Sequence, residues 1–169
     1  MTALEIIDLL KLEPLKDEGG MFISSYSSSE LIKTEALPER FGSDHPIGSQ
    51  IYYLLTNETD SFSAFHTLRS DETWHFYLGD PVELILLSPS GQTETIIMGQ
   101  DIIQGQKVQV TVPHGVWQGA RILQGGEYAL LGMSTAPAFK DEDFTLGDRY
   151  SLIDVFPEMR KKIETLTRG

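Results

Sequence analysis

Two ionisable residues stand in a stretch that otherwise reads as buried β-structure. In FSAFHTLRSDETWHFYLG, Phe62 to Gly79, the alternate positions Phe62, Ala64, His66 and Leu68 precede a polar turn of Arg69, Ser70 and Asp71, and Glu72, Trp74, Phe76 and Leu78 follow it. A period of two puts each set on one face of a strand. A hairpin folded with these faces inward therefore holds an imidazole and a carboxylate in one apolar-walled cavity. A neighbouring carboxylate raises a histidine's pKa and fixes its tautomer, whereas burial lowers it, and the two effects together predict a His66 that titrates near neutrality. Such a group can act as a general base oriented by Glu72. The plainer reading is a core histidine satisfied by that carboxylate.

The remaining candidates follow from the same alternation. Gln118 shares its parity with Ala120 and Ile122 and so reaches the cavity, where its amide can offer both a donor and an acceptor, unless it bonds backbone instead. Tyr53 and Trp74 supply flat walls for a ring to stack on, or core aromatics. His75 has the opposite parity from Glu72 and faces outward unless a β-bulge near Trp74 turns it back. His45 and His114 lie beside proline or glycine and are expected to be exposed. Arg69 and Arg121 are the nearby cations, too few for an arginine-rich phosphate mouth, and there is no Walker A, Gly-x-Ser-x-Gly or zinc-finger spacing.

The elements that must position these residues are strands. From Ile47 the chain runs as short alternating segments with turn chemistry between them, near Ser49–Thr56, Phe62–Leu68, Thr73–Leu78, Val82–Ser88, Glu94–Met98, Lys107–Val112, Trp117–Leu123 and Glu127–Ser134. That pattern is the mark of an all-β sandwich or barrel. One turn is Asn57-Glu58-Thr59-Asp60. Val82–Leu87 is apolar on both faces and should lie between two layers. Before the barrel, Thr2 to Leu12 predicts a helix with Thr2 and Glu5 as a capping box, MFISSY predicts an edge strand, and Ser27 to Pro46 reads as a long loop. After it comes a polar connector that Phe139 and Phe144 should pin to the outside, and then a helix from Tyr150 to Leu166 broken before Pro157.

At 169 residues the chain fits one domain, 1–169, with a barrel at about 47–134, an N-terminal helix and arm before it and a connector and helix after it. It contains no cysteine, which excludes disulfides, thiolate metal sites and a cysteine nucleophile. Thirteen basic against 25 acidic residues give a net charge of −12, the wrong sign for binding a phosphate backbone. Neither a secretory leader nor a membrane-spanning run is visible. A cytoplasmic protein with no nucleic-acid or membrane partner is expected.

Two motifs resemble the cupin superfamily. His66, Glu72 and Gly79 match the H-x5-E-x6-G part of its first motif, and Pro113-His114-Gly115-Val116-Trp117-Gln118 matches the P-x-G-x2 part of its second, with glutamine where histidine is usual. The chain is most similar to the cupin_5 family, also called domain of unknown function 985, whose members are labelled sugar-epimerase-like. Gly19-Gly20, Ile51 to Leu55, Asp71 to His75, Gly79-Asp80-Pro81, Trp117 to Ala120 and Ala136 to Phe139 carry that likeness. The resemblance implies a double-stranded β-helix, or jelly roll, with short terminal helices, a small-molecule ligand in the barrel, and a homodimer paired through a sheet edge and the N-terminal arm. A cupin metal site uses three histidines and a glutamate. Here Leu68 and Gln118 stand in two of those places, so no cofactor is expected. If a divalent metal is held, its ligands would be His66, Glu72 and His75.

Three functions are therefore weighed. The first is a metal-independent epimerase or isomerase of a small carbonyl-bearing polyol, with His66 and Glu72 as catalytic residues and Tyr53, Trp74, His75 and Gln118 binding substrate. The others are a binding module without turnover and a metal-dependent dioxygenase or isomerase.

Overall fold

Apolar alternation from Ser49 onward folds into two antiparallel sheets packed face to face. A computed structural model describes residues 1–58 and 60–168. Thr59, assigned above to a turn, and Gly169 lie outside the described residues. In chain order the elements are α1 (Ala3–Leu10), β1 (Glu13–Pro14), β2 (Met21–Ser27), β3 (Leu31–Ile32), β4 (His45–Pro46), β5 (Ser49–Thr56), β6 (Ser63–Leu68), β7 (Glu72–Gly79), β8 (Val82–Leu87), β9 (Thr93–Met98), β10 (Gln109–Val112), β11 (Trp117–Ile122), β12 (Tyr128–Thr135), β13 (Phe144–Leu146), α2 (Arg149–Val155) and α3 (Arg160–Thr165).

One sheet runs β1-β2-β5-β12-β7-β10 and the other β13-β6-β11-β8-β9, with β3 and β4 forming a separate ribbon. This is a jelly roll, all-β with short helices at its termini. Its sheets take in β2 and β13, which lie outside the span of 47–134 expected for the barrel. Their inner faces enclose one apolar core that includes Tyr53, Trp74, Phe76, Leu84, Val112, Ala120 and Leu131.

Each sheet also carries an outer layer. The C-terminal helices press Leu152, Phe156, Ile163 and Leu166 onto Phe65, Ile85 and Leu87, so β8 is apolar on both faces because both are covered. Trp117 packs into that outer cluster. Glu83, also buried on β8, pairs with Arg121 at 3.3 Å and with Lys162. The other sheet is covered at one end by α1, whose Ile6 and nearby Leu12 pack on Leu54 and Leu130. The α1 capping box forms as the sequence predicts, with Thr2 and Glu5 exchanging hydrogen bonds. No helix among the described residues is long and apolar enough to cross a membrane.

Two bulges alter the simple alternation. Between β6 and β11, Gln118 pairs with His66 but Ala120 pairs with Ser63, so β6 carries an extra residue. Ser63 and His66 consequently both face the interior, while Phe62 packs outward against the C-terminal cluster. Between β7 and β12 the register slips at Tyr77, and Leu78 turns outward to the α1 cluster. Phe62 and Leu78 thus leave the inward faces that a strict period of two assigns them.

Candidate functional site

His66 comes inward because the β6 bulge and its pairing with Gln118 leave its side chain no other direction. Its Nδ1 meets the carbonyl oxygen of Ala64 at 2.8 Å, which makes Nδ1 the donor and turns Nε2 toward the interior. Among the described residues Nε2 makes no hydrogen bond, and Oε2 of Glu72 lies 3.9 Å from it. That is too long for a direct hydrogen bond. The Glu72 carboxylate sits at the first position of β7 and accepts a bond of 2.8 Å from Nε2 of Gln118. The Oε1 of Gln118 in turn accepts from the Trp74 indole at 2.8 Å. Trp74 stands edge-on to Tyr53 at 6.2 Å, and the Tyr53 hydroxyl donates to the carbonyl of Gly19 at 2.9 Å.

The fold thus brings together His66, Glu72, Gln118, Trp74 and Tyr53, all buried. It does not bring His75 to them. The bulge in β7 falls at Tyr77 rather than near Trp74, so His75 keeps its outward parity, bonded to Ser134 at 3.0 Å and stacked on Tyr77. The one hydroxyl proton of Tyr53 is committed to Gly19, whereas Gln118 spends one of its two amide protons on Glu72.

One residue near the site comes from outside the long strands. Glu18, in the link between β1 and β2, is held by a 2.8 Å bond from the inward-facing Ser63 hydroxyl. A carboxylate inside a tight Gly-Gly link gives no periodic signal in sequence; only its neighbour glycines hint at a close approach. With Glu18 present, the electrostatics differ from the expectation. Burial lowers the pKa of His66, but Glu18 and Glu72 together outweigh it and raise the pKa to about 9. His66 is an imidazolium at neutral pH, not a base poised near neutrality.

Phe144 closes the site from β13. Its ring stacks on His66 at 5.2 Å and 22°, with Phe139 edge-on to it at 6.5 Å. Phe144 therefore faces inward, contrary to the outer pinning expected of it. Two surface hollows, of about 660 Å³ beside Phe62 and Arg168 and about 360 Å³ beside Tyr26 and Gln50, are lined by other residues. The His66 site lies among buried side chains of the inner sheet faces, with the Phe144 ring over it.

The arm and connector meet above it. His45, expected to be exposed, is fully buried. Its Nδ1 contacts the Ser43 carbonyl at 2.7 Å and its Nε2 contacts Oδ2 of Asp143 at 2.7 Å. Asp143 also has Arg69 at 3.6 Å, and the adjacent Glu142 bonds Ser43. His45, Glu142 and Asp143 bring a nitrogen and two oxygens within 4.8 Å of one another, but hydrogen-bond spacing and the nearby cations Arg69 and Lys140 make this an ion-pair cluster. His114 is exposed, paired with Asp71 at 2.8 Å.

The cupin-type metal position is a poor fit for a first-row ion. Leu68 and Gln118 replace two imidazoles, the Gln118 carbonyl is taken by Trp74, and His75 points away. Two protein ligands fall short of the three or four that such ions take.

A family profile described as the cupin superfamily (DUF985), Cupin_5, matches residues 4–147. The chain superposes on a Shewanella oneidensis protein with a TM-score of 0.87 and 31% identity, covering 100% of this chain and 99% of that one. A hypothetical protein from Leishmania major gives 0.88 and 26%, with 100% of each chain covered. Streptomyces Pac13 with uridine gives 0.50 and 14%, over 82% of this chain and 87% of that one, a likeness of fold alone. No curated protein matches the sequence.

Proposed function

Because the chain belongs to the Cupin_5 family (DUF985) of the cupin superfamily, we propose that it binds a small carbonyl-bearing molecule between its sheets and moves a proton on it without a metal. The reaction class is isomerisation or epimerisation of a sugar-like compound. The observation that carries this reading is Nε2 of His66, on a residue only 2% exposed, which has no hydrogen-bond partner among the described residues and lies 3.9 Å from a carboxylate. A histidine serving only the core would have its donors satisfied, since burying an unmade hydrogen bond is costly.

The protonated imidazole reverses the roles anticipated from sequence. His66 Nε2–H donates to the substrate carbonyl oxygen, and Glu72 takes the proton from the adjacent carbon. The C–H electron pair becomes the C=C bond, the C=O π pair moves to oxygen, and oxygen receives the His66 proton. Return of the Glu72 proton to carbon and of the hydroxyl proton to His66 restores both groups. Gln118 holds Glu72 in place and Trp74 holds Gln118. Entry in this reading runs past the half-buried ring of Phe144. A cysteine-free, acidic chain suits a reducing aqueous compartment, and a cytoplasmic setting belongs to the proposal.

The test is deuterium wash-in. The protein is incubated in heavy water with small ketoses, hydroxyketones and uridine, and the carbon beside each carbonyl is followed by NMR. Exchange into at least one carbonyl probe is expected, reduced about 10²–10⁴-fold in His66→Gln. Saturation transfer to a probe without exchange would assign the chain to ligand binding alone. Absence of both would overturn the reading.

A further inference from the structure

The contact between arm and connector depends on a single proton. His45 is fully buried, with Nδ1 2.7 Å from the Ser43 carbonyl oxygen and Nε2 2.7 Å from Oδ2 of Asp143. A carbonyl oxygen only accepts, so Nδ1 carries a hydrogen, and a neutral imidazole of that tautomer leaves Nε2 as a bare acceptor. One proton must therefore lie between Nε2 and Oδ2, whichever atom holds it. Without that proton two lone pairs face each other at 2.7 Å, where burying an unmade hydrogen bond is costly. The surroundings offer little relief: the Phe41 ring stands edge-on to the imidazole at 5.0 Å, and Oδ1 of Asp143 is buried without a hydrogen bond among the described residues.

We propose that the His45–Asp143 pair is a pH-opened latch: loss of its shared proton separates the arm from the connector and uncovers the Phe144 ring that lies on His66. The strap it holds leads directly there. Ala138 donates to the Pro46 carbonyl at 2.9 Å, the next ring, Phe139, meets Phe144 edge-on at 6.5 Å, and Phe144 stacks on His66 at 5.2 Å. The charged groups that face the pair come from three elements. Arg69, in the turn between β6 and β7, stands 3.6 Å from Oδ1 of Asp143, while on the connector Lys140 donates to the Ser43 hydroxyl at 2.7 Å and Glu142 accepts from it. On the arm, Asp44 is taken up by Lys33 at 2.7 Å, and Arg40 lies over Phe41 at 4.9 Å and donates to the Arg69 carbonyl. Arg69 and Lys140 favour loss of the proton and Glu142 opposes it. The latch stands on this geometry; its use as an entry rests on the ligand reading above.

The test follows the His45 ring and the Ala138 amide by NMR from about pH 6 to about pH 10. Amide exchange is divided by the unfolded-chain rate at the same pH, which removes intrinsic base catalysis. In the wild type the protection of Ala138 should fall about tenfold or more with the midpoint of the His45 titration. A neutral gadolinium chelate should broaden the Phe144 ring signals more above that midpoint than below it. Asp143→Asn offers an amide N–H to the bare Nε2 of a neutral His45, so its seam should stay closed above the midpoint and protect Ala138 better than the wild type does there. His45→Gln, whose amide donates to the carboxylate at any pH, should likewise show no pH-dependent opening. The latch is overturned by a His45 that does not titrate in this range, by Ala138 protection or Phe144 accessibility that is the same on both sides of the titration, or by either variant opening with pH as the wild type does. None of these readouts requires a ligand, so failure of deuterium wash-in would remove the ligand reading and leave the latch standing.

Discussion

His66 illustrates how a single missing neighbour changes a chemical assignment. Weighing one carboxylate against burial predicts a neutral-range base, but two carboxylates give a pKa of about 9. The consequence for stability has a definite sign. A histidine whose folded pKa is raised contributes stability that is fully present below its unfolded value and is lost as pH climbs through the folded one, so the window runs from 6.5 to about 9. Across it the chain should lose up to about 3 kcal/mol of unfolding free energy from this group. Urea denaturation at about pH 6 and about pH 10 should show the midpoint falling, with a smaller fall in His66→Gln. Equal falls in both proteins would mean that the imidazolium is not held by its carboxylates.

At the scale of elements, the arm and the connector behave as one cover. Their seam is sewn by His45 with Asp143, by Ser43 with Glu142, and by the Ala138 amide donating to the Pro46 carbonyl at 2.9 Å. Asp143 immediately precedes Phe144, so this seam fixes the ring that lies on His66. Removing one partner of a buried pair strands the other, at a cost of about 3–5 kcal/mol, whereas replacing both with apolar groups is often neutral. His45→Ala should therefore destabilise by about 3 kcal/mol, the low end because Arg69 remains near Asp143. His45→Leu with Asp143→Leu should recover most of that loss in urea titrations. A single variant as stable as the wild type would show that the seam contributes nothing.

For the whole molecule, a net charge of −12 makes two copies repel except through uncharged surface. Such a surface exists on the outer side of the first sheet, beyond α1. Tyr26 pairs with Gln50 and shares its face, and Tyr52, Tyr77 and His75 continue the patch, with Tyr52 and Tyr77 edge-on at 6.1 Å. The three tyrosines are 53%, 36% and 43% exposed in that order. Tyrosine-rich neutral faces suit association, and a homodimer through this face and the adjoining edge of β2 is our proposal. Sedimentation should find a dimer that tightens with added salt, as screening relieves the repulsion, and Tyr77→Glu should shift it to monomer. A wild-type monomer at about 100 μM in both low and high salt would exclude this pairing.

Local pattern was enough for an all-β sandwich or barrel, for β2 and β5 to β12 within a residue or two, for the capped first helix, the break before Pro157 and the inward parity of His66, Glu72 and Gln118, while the jelly roll came from the family resemblance and β1, β3, β4 and β13 were not anticipated. Those features depend on periods of two and 3.6 and on turn chemistry, which neighbouring residues specify among themselves. Bulges were not legible, because an extra residue on β6 or β7 is defined only against the partner strand that lacks it. Glu18 was missed, and His45 and Phe144 were misplaced, for a related reason. Each belongs to a link, arm or connector without periodicity, and each gains its position from a residue far along the chain: Ser63 for Glu18, Asp143 for His45 and His66 for Phe144. Sequence alone therefore settled the long strands and most of their inward faces, while the bulges that turn Phe62 and Leu78 outward and the charge on the central imidazole were decided by tertiary contact, since strand register and Coulomb interactions act across space and not along the chain.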